Sequence, residues 1–499
     1  MGSSGPFSPE IIQHIVYYLT HDWIGLNGPS ETPPVFGIFR SWGRIGGAAR
    51  YATVHNTWQD AVERETFAEL RLDLGRLAEA DVILNGVPRR QKYVRIIRLN
   101  VVLLPRHLDI AQRPHIETAD ERKRNNRTLQ DTFEAFVSTL NRWMPGPPVK
   151  LHLDAFALTD RGYRVEAEAQ SARAHGAVYY HSPLELEYPE RVLRLAPVSI
   201  VTELDMERNR LIGRPVSGAA VCTLVAKLPA AKNVSINWWD ARDNSKMRSA
   251  FAQALTNVTH AIDSFHIAGT YSQLSLRQPA RQPKQCEVKP DELSQIIGLI
   301  SQRLRNVDLY EVVISDELFL QHSLGPEMAS PAHWARLENL SLFYPSFTPS
   351  GECLFYPDPN VPDRQRAATI ADRALQRRYV VAARAALEMP LLKNMTLVAQ
   401  LEREGGWHKF WYHRDAMRNA AKALWTSSSG FVPDFEVLTA WREVPLKHLD
   451  EVELEVEILD DEYAVAETKA KAYPVVLEFQ QSLKDYAASL GGGANWRWR

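Results

Sequence analysis

Phe67-Ala-Glu-Leu70-Arg-Leu72 and Val94-Arg-Ile-Ile97-Arg-Leu99 share one pattern: apolar, two of any kind, apolar, one of any kind, apolar. The alternation at the end of each unit is that of a half-buried strand. A weaker copy is Leu151-His-Leu153. The pattern returns at Val201–Met206, Ala231–Ile236, Ile262–Ile267, Leu309–Ile314, Leu337–Leu342, Leu392–Leu397 and Leu449–Leu454. From Leu70, successive central residues stand 27, 54, 53, 30, 31, 47, 28, 55 and 57 apart. Four intervals lie near the shortest of these and four near twice it; the interval of 47 fits neither.

Between the units lie stretches with helical periodicity and few breakers: Leu129–Trp143, Met247–Val258, Asp291–Leu304 and Arg364–Met389. A strand, a helix and a returning strand make a right-handed parallel unit. An array with expanded units predicts an α/β chain, an irregular leucine-rich-repeat-like βα solenoid over 71–460. The asparagine that usually follows such a unit is missing from most of them. An ordinary pair of α/β domains is the alternative. A C-terminal helix and a flexible tail are expected over 461–499, with Pro474 interrupting the helix.

Composition is that of a globular chain: 499 residues, 45% hydrophobic and 24% charged. The net charge of -2 gives no basic footprint for nucleic acid. No run of apolar residues is long enough to span a membrane. Cys222, Cys286 and Cys353 are scattered, without metal-ligand spacing or a disulfide framework. Met1–Gly5 shows no basic region followed by an apolar run, so no secretory signal is expected. The expected location is cytoplasmic, nuclear or both.

Catalytic motifs are absent. No G-x-S-x-G, H-E-x-x-H, phosphate-binding loop or dinucleotide fingerprint occurs. The closest histidine pairs, such as His408 with His413, lack a third ligand. Packing is the role expected of Cys222. No catalytic residue, metal or cofactor is assigned.

The N-terminus carries the strongest signal. Phe7-Ser-Pro-Glu-Ile-Ile-Gln-His-Ile-Val-Tyr-Tyr-Leu19 has the apolar stripe of a helix face. Arg50–Phe67 places Val54, Trp58, Ala61 and Val62 at helical spacing. The glycine- and proline-rich stretch 22–48 reads as a loop insertion between them. Together residues 1–70 resemble the F-box. Phe7, Glu10 and Ile11 match its opening, Ile15 and Leu19 its helix stripe, and Val54 and Trp58 its valine-to-tryptophan spacing; Phe67 and Leu70 match its end. Ser8 stands where the family proline usually lies, with Pro9 following, and His55 replaces the usual cysteine. A second segment, Leu337–Phe355, looks like one that recurs in F-box proteins of filamentous ascomycete fungi.

The resemblance implies a substrate-recognition subunit of a Skp-cullin-F-box type ubiquitin ligase. Phe7, Pro9, Ile11, Ile15, Leu19, Val54, Trp58 and Phe67 would dock the Skp-type adaptor, and through it a cullin. The solenoid would hold an unknown protein substrate, with no nucleic acid or membrane as partner. Trp238, Trp239 and Tyr344 are the candidate aromatic anchors for that substrate. A non-ligase interaction scaffold and an uncharacterised enzyme are the alternatives.

Overall fold

The computed structural model describes residue 12 and residues 56–103, 117–157, 183–206, 214–239, 245–258, 262–270, 290–320, 334–350, 352, 354–357, 369–371, 373–400, 407–415, 417–427, 431–449 and 452–459. The insertion 22–48 and the segment 461–499 lie outside the described residues. The chain is mixed α/β and divides into two compact units. The first holds residues 1–216 and 223–232; the second holds 217–222 and 233–499.

In the first unit, helix α1 (Asn56–Ala68) runs directly into strand β1 (Glu69–Leu72). Helix α2 (Leu74–Gly86) follows, started by the Asp73 side chain, which accepts from the Arg76 N–H. Then come β2 (Ile96–Leu103), α3 (Ala119–Leu140), β3 (Val149–Ala157), the short α4 (Pro189–Leu193) and β4 (Val201–Asp205). Helix α3 starts on a capping box. Thr118 accepts from the Glu121 N–H, and the Glu121 carboxylate accepts from the Thr118 N–H. Leu129, Phe133, Phe136, Val137 and Leu140 form its buried stripe. The four strands are parallel and neighbour one another in chain order.

Helix α5 (Gly218–Val225) contributes residues to both units. The second unit continues with β5 (Asn233–Trp239), α6 (Ser245–Thr256), β6 (Ser264–Thr270), α7 (Glu292–Ser301), β7 (Asn306–Tyr310) and β8 (Asn339–Pro345). A small antiparallel ribbon, β9 (Phe355–Pro357) with β10 (Thr369–Ala371), precedes α8 (Arg373–Ala386). The chain goes on through β11 (Asn394–Gln400), β12 (Trp407–Asp415), β13 (Ala420–Ser427), α9 (Phe435–His448) and β14 (Leu454–Leu459). Strands β5, β6, β7, β8 and β11 are parallel neighbours in that order. β12 and β13 then form an antiparallel hairpin, and β14 pairs parallel to β13.

One side chain in two along each strand faces the helices. Ile97, Leu151 and Leu204 of the first unit are buried, as are Val234, Phe265, Val307, Leu340 and Met395 of the second. Each such side chain contributes roughly 1.5–3 kcal/mol by leaving water.

Two expected strand units are displaced. The seventh strand lies at Asn306–Tyr310, with Val307 and not Val312 in register with Leu340. Glu311 takes φ 54, a left-handed conformation that ends the strand. Val312, Val313 and Ile314 are buried in the turn that follows, so three consecutive apolar residues imitate a strand. Realigned on Val307, the odd interval of 47 becomes 42. The last strand begins at Leu454, because Leu449 still caps α9. The hairpin Trp407–Ser427 carried no strand expectation. It is read directly in the structure, and it fills much of the last long interval.

A candidate recognition face on the strands

The first rung of the second unit is a row of amides. Ser264, Asn306, Asn339, Asn394 and His413 are aligned by strand register. Asn306 Nδ2 donates to Ser264 Oγ at 2.9 Å. Asn339 Nδ2 donates to Asn306 Oδ1, and Asn394 Nδ2 to Asn339 Oδ1, each at 2.8 Å. Asn394 Oδ1 lies 2.8 Å from His413 Nδ1. An amide oxygen can only accept, so His413 carries its proton on Nδ1.

The residue before each rung adds a second layer. The Asp263 carbonyl accepts from the N–H groups of Arg305 and Asn306. The Arg305 carbonyl accepts from Glu338 and Asn339, and the Glu338 carbonyl from Lys393 and Asn394. Their side chains alternate in charge along the row: Asp263, Arg305, Glu338, Lys393. Lys393 Nζ lies 2.7 Å from Glu338, and Arg336 lies 2.7 Å from Asp263. The Glu338 carboxyl sits below its ordinary pKa because Lys393 hydrogen-bonds to it.

The sequence holds the signal for this row. It is apolar-x-Asn-apolar-x-apolar, as in Leu304-Arg-Asn-Val-Asp-Leu309, Leu337-Glu-Asn-Leu-Ser-Leu342 and Leu392-Lys-Asn-Met-Thr-Leu397. The asparagine opens the strand here; sequence reasoning looked for it after the strand.

The next rung on the same face holds Ser235, His266, Asp308, Ser341, Thr396 and Trp411. His266 Nδ1 lies 2.9 Å from Asp308 Oδ2. The rings of Trp411 and His413 stack with centroids 5.3 Å apart and planes 11° apart. Tyr310 stacks on Phe343 at 4.7 Å.

The opposite side of the strands places two of the expected anchors. Trp238 and Tyr344 are each 1% exposed, so both side chains are core groups and not surface anchors. Each lies against a buried arginine. Arg248 of α6 sits 5.7 Å from the Trp238 ring. It pairs with Asp291, the cap of α7, at 2.8 Å, and donates to the Val313 carbonyl at 2.9 Å. Arg378 of α8 sits 4.8 Å from the Tyr344 ring. It pairs with Asp316 at 3.0 Å and donates to the Ile314 carbonyl at 3.0 Å. Two arginines thus hold the turn after β7 from its two sides. Gly269 admits that turn closely; a Cβ there would collide with the Glu311 carbonyl. The aromatic residues were visible in the sequence, and their arginine partners were not. The Trp239 side chain lies outside the described residues.

His408 and His413 are separated by an odd number, so they face opposite sides of β12. His408 is buried, its Nε2 2.5 Å from the Tyr379 hydroxyl. Burial lowers its pKa to about 3 and raises that of Tyr379 well above the ordinary phenol value. Cys222 is buried in α5, and burial pushes its thiol up. Among the described residues no group of three or more His, Cys, Asp or Glu side chains is placed to hold a metal ion. No helix among them is long and apolar enough to cross a membrane.

At the N-terminus, Ile12 is buried with Ala61 and Val62 of α1, and Trp58 packs against the three. Phe67, one turn past Glu63, has the Arg90 guanidinium 5.2 Å from its ring. Glu63 is gripped by Arg90 at 2.8 Å and Arg89 at 3.0 Å. Burial works against its charge, but the hydrogen bonds from Arg90 and Gln59 and the two guanidinium charges prevail, so its pKa is lowered. Phe7, Pro9, Ile11, Ile15, Leu19 and Val54 lie outside the described residues.

Residues 229–481 match a family described as a family of unknown function, DUF6546. The chain belongs to this family. The DUF6546 region opens just before β5 and takes in the amide row, both buried arginines and the hairpin. In this DUF6546 chain the four strands of the first unit therefore precede the family region. None of the curated proteins matches the chain.

Proposed function

We propose that the protein is a substrate receptor of a Skp-cullin-F-box type ubiquitin ligase, with a leucine-rich-repeat-like βα solenoid as its recognition surface. The packing of Ile12 on Ala61 and Val62 beside Trp58 carries the reading. It joins Ile12 of the first stretch that resembles the F-box to Trp58, Ala61 and Val62 of the second. Parallel strands laid side by side in chain order, with a polar row along their starts, support the solenoid. In this role the chain forms no covalent bond. It holds a target near a charged conjugating enzyme, and the gain is proximity. The working compartment is the cytoplasm, the nucleus or both.

The test is co-expression of the full chain with a fungal Skp-type adaptor, purified by a tag on the adaptor. The expected result is co-purification of wild type and its loss in a variant with Ile11, Leu19 and Trp58 changed to aspartate. A folded wild type that stays behind removes the ligase reading.

A non-ligase scaffold is the second reading. Arg90 over Phe67 favours it, because part of the expected adaptor face is already covered by the chain itself.

A further inference from the structure

The open strand face of the second unit changes character at one level. In β6, β8, β11 and β13 half-buried and buried residues alternate through the first two rungs, and then burial becomes continuous. The change falls on Ala268, Phe343, Val398 and Thr426, which strand register sets in one row. Each is 3% exposed or less. Each lies four residues past the first rung, which continues onto β13 as Lys422, so all four share the side of the amide row. By contrast, β2 of the first unit alternates through all 8 of its residues. The helices do not supply the extra cover. Helices α6, α8 and α9 reach Trp238, Tyr344 and Phe410, which alternate onto the opposite side. Helix α7 joins α6 there through the Arg248–Asp291 pair. The Thr426 hydroxyl is buried without a hydrogen-bond partner, so the group over it is apolar.

The sequence offers such a group where the row ends. Strand β14 stops at Leu459, in register with Thr426, so the chain leaves the sheet at the end of this same row. Residues 460–499 follow. Among them Val476, Phe479, Leu483, Tyr486 and Leu490 recur at intervals of three and four, the stripe of one helix face. Pro474 suits a first helical turn and Gly491 a C-terminal stop.

We propose that residues 474–490 of this chain form an amphipathic helix that lies across the open face of the second unit and covers this row. The dimensions agree. The strands from β6 to β13 span about 24 Å at about 4.8 Å per step, and a helix over 474–490 measures about 25 Å. Residues 460–473 reach about 46 Å when extended, enough to start the helix at either end of the row. A helix is about 10 Å wide and rungs on one side are about 7 Å apart, so it covers this row and leaves the amide rung open. Under the receptor reading, the helix is one wall of the surface that a target meets. The docking itself does not depend on that reading.

The test is thiol accessibility in the full chain. Thr426→Cys places a thiol under the helix, and Thr396→Cys places one on the half-buried rung beside it. Peptide mass spectrometry separates each from the native cysteines. With a maleimide, Thr426→Cys should react at least about tenfold more slowly than Thr396→Cys. Adding Phe479→Asp with Leu483→Asp should bring the two rates together by speeding Thr426→Cys alone. Equal rates at the outset would overturn the proposal. So would slow labelling of Thr426→Cys that persists in the folded aspartate variant, because another part of the chain would then cover the row. If the aspartate variant fails to fold, a benzophenone amino acid substituted at Leu483 decides. Irradiation should join it to peptides holding Phe343, Val398 or Thr426 within one chain. Cross-links confined to other segments, or formed only between two copies, would also overturn it. A chain that shows these readouts but does not hold the adaptor sinks the receptor reading alone; one that holds the adaptor without them sinks this proposal alone.

Discussion

The two units lay parallel strands in chain order, yet they fill the strand face with different chemistry. In the first unit the rungs are ionic. Glu69 holds Arg98 at 2.5 Å and Arg71 at 3.2 Å, and Lys150 lies 3.2 Å from Asp205. Most of these groups are partly exposed, where pairs contribute about 0–1 kcal/mol and weaken with salt. In the second unit the rung is a neutral amide row, which salt does not screen. Its ion pairs flank that rung, as Glu338 with Lys393 does, or lie on the buried side, where Arg248 and Arg378 hold the turn after β7. A regular strand array does not require one repeated chemistry. Each unit needs only a rung that satisfies its polar groups and an apolar row behind it.

The largest way to break the contrast is Arg378→Met. Asp316 would keep only Arg377, and the Ile314 carbonyl would lose its donor. Breaking a buried pair of this kind costs about 3–5 kcal/mol. Hydrogen exchange in peptides covering β7 and β8 should accelerate accordingly, with β2 as the reference. Unchanged protection there would show that the arginine is incidental.

Acid is the next lever. His408 stays neutral when folded, with a pKa of about 3, while an unfolded histidine titrates near 6.5. The unfolded chain therefore binds the proton first. Stability is present above about pH 6.5 and falls below it by up to about 1.4 kcal/mol per pH unit until the folded group also protonates. Urea midpoints from pH 7 to 5 should decline in wild type and less steeply in His408→Phe. Parallel slopes would refute the role of His408.

Asn339→Leu sharpens the comparison at the rung itself. It removes two side-chain hydrogen bonds, one donated to Asn306 and one accepted from Asn394. The expected loss is about 1–3 kcal/mol, independent of salt. Smallest of all is Arg98→Gln in the first unit. It should cost at most about 1 kcal/mol in dilute buffer and less in about 1 M salt. A salt-independent loss there, or a salt-dependent one at Asn339, would erase the distinction between the units.

The apolar rows were legible in the sequence because burial forces alternation. Ile97, Leu151, Leu204, Val234, Phe265, Leu340 and Met395 all take the central place expected of them. The turn after β7 was not legible. Val312, Val313 and Ile314 are apolar because a packed turn surrounds them, and composition alone does not separate that from a strand. The amide row was missed although three asparagines recur in the quoted units, since its partners lie 33 and 55 residues apart. Trp238 and Tyr344 looked like surface anchors for want of the arginines that face them from distant helices. Nothing in the sequence around Trp411 marks the hairpin that turns its ring onto His413.

The amide row also bears on where such a chain can be made. Strand-opening asparagine followed by an apolar residue and then serine or threonine spells the acceptor signal for N-linked glycan attachment, at Asn233-Val-Ser235, Asn339-Leu-Ser341 and Asn394-Met-Thr396. Asn339 and Asn394 commit their side-chain nitrogens to the neighbouring strand. A sugar added to either before folding would occupy the place of that contact. Export through a glycosylating compartment would thus strip the second unit of its rung, and a secreted preparation should misfold unless both asparagines are masked from the transferase.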